Sequence, residues 1–376
     1  MTTLETLKQT PNLEAKIKDI LSNKFIYTDD IAEILASAIY SGQNVILYGP
    51  GGHGKSEMVE AVLEGLGLWN RHDPVNSQTL IQSFGEGLTE DALWGGIDFK
   101  RLNSVTDPDM VFNVENSFLK YPVAVFEELF DAPAFCLLPL KHTIQAGFLA
   151  KSGRSYPMQT KLIIACTNRN PADIEDMGET YRALLERFVL RQEVIWPDYT
   201  AGRYAKLINT HSKLIMTSAN RNALCELMAD CQQTGHLVSP RTAMKAVDIL
   251  IGAATSRGAT EVTLADFPAL KHVAGFQQTA GRFSETLEMR QEEIRANDTM
   301  QVCVDKLNVM IDKYQSGVIT RPIEYLIMAK FFLSIQDEFN SIRVPDSLYQ
   351  KRADKIKLAT DYYAAARDKA VELTRI

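Results

Sequence analysis

The octet Gly49-Pro50-Gly51-Gly52-His53-Gly54-Lys55-Ser56 constrains the architecture of this chain more than any other stretch. It follows the apolar run Asn44-Val45-Ile46-Leu47-Tyr48 and precedes a helical pattern over 56–66, with Met58, Val59, Val62, Leu63 and Leu66 on one side. Glycines at these spacings let successive backbone N–H groups turn toward one point, and the positive end of the following helix faces the same point. A strand, a glycine-rich loop and a helix in that order cradle phosphate. Lys55 then bridges the β- and γ-phosphates of a nucleotide, and the Ser56 hydroxyl is placed to ligate Mg²⁺. His53 occupies a variable position of the loop and is assigned no chemistry.

The rest of the chain is read around that loop. Further strands are expected at 79–84, 122–126, 161–166 and 188–195, each a mostly apolar run alternating with helical patterns. Such runs alternating with helices predict a parallel sheet covered on both faces. Residues up to about Lys24 form a helical lead-in, and a helix over 30–40 precedes the first strand. After Trp196-Pro197-Asp198 the pattern turns helical, at 204–211, 221–234, 240–255 and 263–274, and from about Gly281 onward it is almost wholly helical. There Ile323, Ile327, Phe331 and Ile335 recur at steps of four and read as core packing, while Ile356, Ala359, Tyr363 and Ala366 mark a heptad-like seam.

Composition excludes little but agrees. Of the residues 45% are hydrophobic and 23% charged, which suits an ordinary globular protein with a real core. No apolar run has the length of a membrane span and the start lacks a signal-peptide profile, so the expected location is the cytoplasm. Five scattered cysteines without a C-x-x-C pair read as buried thiols, and the histidines do not join them at zinc-ligand spacing. A net charge of −7 argues against strong nonspecific nucleic-acid binding, although a local basic patch is compatible with it.

Two strand ends carry the remaining chemistry. Glu127 and Glu128 follow Val123-Ala124-Val125-Phe126, where a parallel sheet presents side chains to bound nucleotide. The first acid positions Mg²⁺ through water, and the second can take a proton from attacking water. The next strand ends in Cys166-Thr167-Asn168-Arg169-Asn170-Pro171. An amide there reaches between γ-phosphate and water. Asn168 fits best and Asn170 competes, and either also suits the cap of the following turn.

These motifs, with Ala183-Leu184-Leu185-Glu186-Arg187-Phe188 and Val238-Ser239-Pro240-Arg241, resemble the AAA+ ATPases, and among them the MoxR-type branch with its chelatase and gas-vesicle relatives. The resemblance covers roughly residues 25–280. It implies an α/β fold, a P-loop NTPase αβα sandwich with a parallel sheet, followed by a helical lid and an all-helical C-terminal extension. The expected division is a lead-in at 1–24, a nucleotide-binding core at 25–197, a lid at 198–280 and an extension at 281–376. By resemblance the cofactors are ATP and Mg²⁺. The nucleotide is held by Gly49, Pro50, Gly51, Gly52, His53, Gly54, Lys55, Ser56 and Glu57, and the metal by Ser56 and Glu127. The catalytic set is Glu128, Asn168, Arg187 and Arg241, with Arg187 an arginine finger into the neighbouring subunit and Arg241 the sensor-2 residue of the lid. A planar, permanently charged fork suits both arginine roles.

The same resemblance implies a homo-oligomer, a hexameric ring, that hydrolyses ATP to remodel a protein, with a von Willebrand factor A domain protein as partner. A nucleic-acid motor of the same clade and a weakly hydrolysing, nucleotide-gated scaffold are the alternatives. Two insertions fit the branch. Residues 85–114 resemble a hairpin inserted in helix 2, and 147–156 a hairpin before sensor 1. Their basic residues Lys100, Arg101, Lys151 and Arg154 suit an acidic polypeptide or a nucleic-acid strand, or are solvated turn charges. The chain departs from the family in carrying Glu127 where Asp is usual, in a sensor-1 segment one residue longer, and in the tail after 281.

Overall fold

Helices α1 (Leu4–Lys8) and α2 (Leu13–Ser22) lead into α3 (Asp29–Ser41), which opens on two acids and closes at Gly42 in the left-handed region (φ 67°). Then come β1 (Val45–Tyr48), α4 (Lys55–Gly65), β2 (Thr79–Ser83), the short α5 (Glu90–Trp94) and α6 (Phe99–Leu102), and β3 (Val123–Glu127). Next are α7 (Ala134–Ala146), β4 (Phe148–Lys151), β5 (Arg154–Pro157), β6 (Leu162–Thr167), α8 (Pro171–Asp176), α9 (Glu179–Leu185) and β7 (Leu190–Glu193). Helices α10 (Ala201–Ile208), α11 (Ser218–Gln233) and α12 (Pro240–Ser256) follow, then a 3-10 stretch (Leu264–His272), α13 (Ala280–Gln315), α14 (Pro322–Ser341) and α15 (Asp346–Thr374). The structure is a computed structural model and describes residues 3–74, 76–104, 109–233, 235–273, 275–276 and 280–374. Thr234 and Ala274, at the expected ends of two helices, lie outside them.

Five strands form one sheet in the order β2-β3-β6-β1-β7, every pairing parallel. Alternate residues of β1, β3 and β6 enter different cores, which is why those runs are apolar throughout. Val45, Leu47, Val123 and Val125 join the core built with α1 to α4. Ile46, Ala124 and Phe126 join the one built with α5, α7 and α9. All six residues of β6 are buried. Full burial of Leu162, Ile163 and Ile164 contributes about 1.5–3 kcal/mol each. The register pairs Tyr48 with Thr167 and Cys166 with Glu127, so the carboxyl ends of β1, β6 and β3 stop side by side.

The chain divides into two compact units, residues 1–214 with 225–249, and residues 215–224 with 250–376. In the second, α14 and α15 pack along their length and α13 joins them. Ala359, Ala366 and Ala370 are fully or almost fully buried on α15, and such small side chains let a neighbouring helix backbone come close.

Three expectations need correction. The step-of-four stripe on α14 is not core: Ile323, Ile327 and Phe331 are 64%, 61% and 48% exposed, and only Ile335 is buried. The buried face is Tyr325, Met328, Ala329, Phe332, Ile335 and Phe339. Steps of four drift about 40° each around a helix, so the stripe starts outside and reaches the core at its fourth member. Residues 85–114 do not form a regular hairpin among the described residues. A single antiparallel bridge joins Ile97 to Phe112, with α6 after Ile97, and 105–108 lie outside the description. Finally, the helix expected over 263–274 is a 3-10 stretch with Pro268 inside it, a residue that cannot donate the α-helical bond.

Candidate active site

The loop between β1 and α4 keeps its shape through glycines in conformations closed to other residues. Gly49 has φ 134°, and a Cβ there would stand 2.7 Å from the Val194 carbonyl oxygen. Gly52 has φ 81°, and its Cβ would stand 2.5 Å from Ser239 Oγ. The first glycine lets the loop leave the sheet beside the end of β7, and the second lets it pass under the start of α12.

Lys55 is buried at the first position of α4. Its Nζ donates to the carbonyls of Gly49 and Pro50, both at 2.9 Å, and to Asn168 Oδ1 at 2.8 Å. Burial lowers its pKa, and the nearby Arg241 adds to that, against the attraction of Glu128. The other end of the Asn168 amide, Nδ2, donates to Glu128 Oε1 at 2.7 Å. Only one orientation of the amide serves both partners, because ammonium can only donate and carboxylate only accept. Lys55, Asn168 and Glu128 therefore form one hydrogen-bonded row across the ends of β1, β6 and β3.

Glu128 sits in left-handed backbone, φ 53° and ψ 38°, a conformation that costs a residue with a Cβ about 1–2 kcal/mol. Its N–H donates to the Cys166 carbonyl at 2.8 Å, which holds the turn. Among the described residues nothing hydrogen-bonds its buried Oε2. Burial pushes the carboxyl pKa up, and Asp131 pushes it further, against the pull of Lys55. Asp131 is itself paired with Arg169, at 2.7 Å. Glu127 accepts from Ser83 Oγ at 3.0 Å, across from β2. Cys166 is wholly buried near Ser56 and Glu127, and burial with the nearby Glu127 pushes its thiol up to about 12. Ser56 and Glu127 thus flank the same strand end. They offer hard oxygen donors of the kind Mg²⁺ takes beside substrate phosphates, while the protonated thiol offers none.

Other partners come from farther along the chain. The Arg241 backbone N–H donates to the Gly52 carbonyl at 3.0 Å, and its exposed guanidinium lies 3.6 Å from Glu57. Ser239 Oγ accepts from the Thr242 N–H and caps α12. His53, which the sequence left without a task, is buried; its Nε2 lies 2.7 Å from Tyr199 Oη, and Nδ1 faces the Pro50 and Gly51 carbonyls at 3.1 and 3.2 Å. Carbonyls only accept, so Nδ1 carries the proton and Nε2 accepts from Tyr199. Burial lowers the His53 pKa, and Lys55 does so less. Tyr199 packs on Trp196, Trp196 on Tyr204, and Tyr204 donates to the Val238 carbonyl at 2.6 Å. Ser83 and Tyr199 give no local signal in the sequence, whereas Ser239 stands in the quoted segment Val238-Ser239-Pro240-Arg241. Beside His53 opens a cavity of about 400 Å³, lined by Phe25, Ile26, Tyr27, Trp196, Pro197 and Pro240 among others.

Arg187 does not join this group. Its guanidinium donates to the Ala183 carbonyl at 2.9 Å and to Gln145 Oε1 at 2.5 Å, on α7. Asn170 starts α8 without capping it through its side chain.

The hairpin β4–β5 is present, antiparallel, with Leu149 opposite Tyr156. Its basic residues are engaged within the chain. Lys151 pairs with Glu90 at 3.0 Å and lies 4.4 Å over the Phe112 ring, and Arg154 pairs with Asp109. Tyr156 Oη accepts from the Phe112 N–H at 2.9 Å. Lys100 and Arg101 are exposed on α6.

A family model described as the MoxR domain in the MoxR-vWA-beta-propeller ternary systems matches residues 12–201. No curated protein matches the chain. Among solved structures, a RuvB mutant of Thermotoga maritima is similar at 12% identity and TM-score 0.45, over 67% of this chain and 73% of that one. A putative ATPase from Cytophaga hutchinsonii is similar at 13% and 0.34, over 76% and 96%. Hsp104 of S. cerevisiae, in a complex with casein, is similar at 13% and 0.47, over 68% and 50%. The family match spans half of the chain and includes the phosphate loop, both strand-end acids, Asn168 and Arg187. This chain belongs to the MoxR family of AAA+ ATPases.

Proposed function

We propose that the protein is a ring-forming, Mg²⁺-dependent ATPase that couples hydrolysis to remodelling of a protein partner. The observation that carries this reading is the row Lys55–Asn168–Glu128, which joins a phosphate-binding lysine to a carboxylate of raised pKa through one amide. The loop 49–57 takes the phosphates, and the apolar cavity beside His53 takes the base. Ser56 and Glu127 would hold Mg²⁺, which would supply charge neutralisation to the phosphates. Lys55 donates to the carbonyls of Gly49 and Pro50 and to Asn168 Oδ1. A γ-phosphate draws Lys55 away, which frees Asn168 Oδ1 to orient water. Glu128 then accepts the proton from that water as it attacks.

Arg241 meets the phosphates from the lid. Arg187, turned away from the loop of its own chain, acts in the site of the adjacent protomer. The proposed domains are the core at 25–197, the lid at 198–280 and the extension at 281–376. The family description couples a MoxR domain with a vWA and a β-propeller component, which supports a vWA-domain protein as partner. The internal pairing of Lys151 and Arg154 leaves those two residues less suited to grip a nucleic-acid strand.

Glu128→Gln is expected to keep ATP affinity and abolish turnover, and undiminished hydrolysis removes Glu128 from the role. Lys55→Ala and Arg187→Ala protomers are each expected to be inactive and to recover activity when mixed. No recovery in mixed assemblies that demonstrably form refutes a shared site.

A further inference from the structure

The outer face of α14 is apolar where a solvated helix face is normally polar. Ile323, Leu326, Ile327, Phe331 and Leu333 are 64%, 47%, 61%, 48% and 41% exposed, although the opposite side of the same helix is buried in the core of its unit. Exposed apolar residues in a contiguous run, unlike single ones, mark a surface that another molecule covers. Between this face and α15 lies a cleft of about 460 Å³, closed on the α15 side by Tyr363 and Arg367. Among the described residues its lining includes two charged residues, Lys330 and Arg367, both cationic, and no carboxylate.

We propose that this cleft docks an amphipathic helix of a partner protein, with an apolar stripe flanked by carboxylates. Its floor runs from Ile323 to Leu333, about 15 Å or three turns of helix. The pair α14–α15 already accepts one helix: Met300, Cys303, Val304 and Leu307 of α13 enter the core it shares with them. No described residue of α13 lines the cleft, so among the described residues it is a second groove on the same helix pair, and a further helix would complete a four-helix arrangement. Charge selects the occupant. Carboxylates beside the apolar stripe meet Lys330 and Arg367, whereas a second copy laid face to face brings these cations toward their own equivalents. Arg367 also pairs with the adjacent Asp368 at 2.9 Å, so Lys330 is the stronger selector. The inference stands on the C-terminal unit alone and does not depend on ATP hydrolysis.

The test uses the full chain and two labelled synthetic helices, each about three heptads long with a leucine stripe, one flanked by glutamates and one by lysines. Fluorescence anisotropy should show saturable binding of the glutamate helix, about tenfold or more tighter than of the lysine helix. Ile327→Asp should weaken it about tenfold or more, and Lys330→Glu with Arg367→Glu should reverse the preference between the two helices. All three positions are at the surface, and an unchanged circular dichroism spectrum and thermal midpoint confirm that the variants fold. Equal binding of both helices, or binding indifferent to these substitutions, overturns the proposal. Sedimentation velocity gives a second refutation: a self-association that Ile327→Asp abolishes assigns the face to another copy of this chain.

Discussion

Replacing Asn168 with alanine isolates the amide that joins the phosphate lysine to the carboxylate. The side chain makes two hydrogen bonds to ionised groups, 2.8 Å from Lys55 Nζ and 2.7 Å from Glu128 Oε1. A hydrogen bond to a charged group is worth about 1.5–3 kcal/mol. The two cannot be summed, since they share one amide and their far ends attract each other. Losing one bond's worth in the transition state slows turnover about 10- to 150-fold, at 1.36 kcal/mol per factor of ten. Nucleotide affinity should move far less, because Lys55 retains the carbonyls of Gly49 and Pro50 until phosphate arrives. Asn170→Ala is the internal control: its side chain does not cap α8, so the change should stay within about 0.5 kcal/mol, roughly twofold in rate. Steady-state phosphate release and titration with a fluorescent ADP analogue measure the two quantities. Turnover that survives Asn168→Ala within twofold, or falls as far with Asn170→Ala, refutes the reasoning.

Three further outcomes are expected. The raised pKa of Glu128 means that the carboxylate, the proposed base, is lost as pH falls through a value above the ordinary range, so kcat should show an acid limb displaced upward. Asp131→Asn, which removes a neighbouring negative charge and releases Arg169, should shift that limb to lower pH, and a limb that stays or rises contradicts the assignment. His53→Ala and Tyr199→Phe should show a coupling of about 0.5–1.5 kcal/mol in a double-mutant cycle of urea unfolding, and additive effects would argue against a bond between them. Phe332→Ala, in the core of the C-terminal unit, should cost about 3–5 kcal/mol, while Ile327→Ala stays within about 0.5 kcal/mol; equal losses would place Ile327 in the core after all.

The sheet was legible because β1, β3 and β6 are buried on both faces and read as continuous apolar runs, and the expected ends lie within one or two residues for β2, β3 and β6. The phosphate loop was legible because its chemistry is local. Spacing alone did not separate Asn168 from Asn170. Register does: Thr167 pairs with Tyr48, so Asn168 is the first side chain past the strand and lies level with the loop. The contact between His53 and Tyr199 spans 146 positions, and no local pattern announces it. The stripe on α14 was misread because a step of four looks the same whichever way the helix turns, and only the packing of α13 and α15 decides.

The ties around Phe112 differ in how they respond to salt. A salt bridge, a cation over a ring and a main-chain N–H to Tyr156 Oη fasten the segment before β3 to the tip and the return strand of the hairpin. Two segments far apart in the chain are thereby tied to each other at three points. Salt would slacken the ionic ties, but the buried hydrogen bond to Tyr156 joins two neutral groups and escapes that screening, so it is the tie that holds the two segments together at high ionic strength.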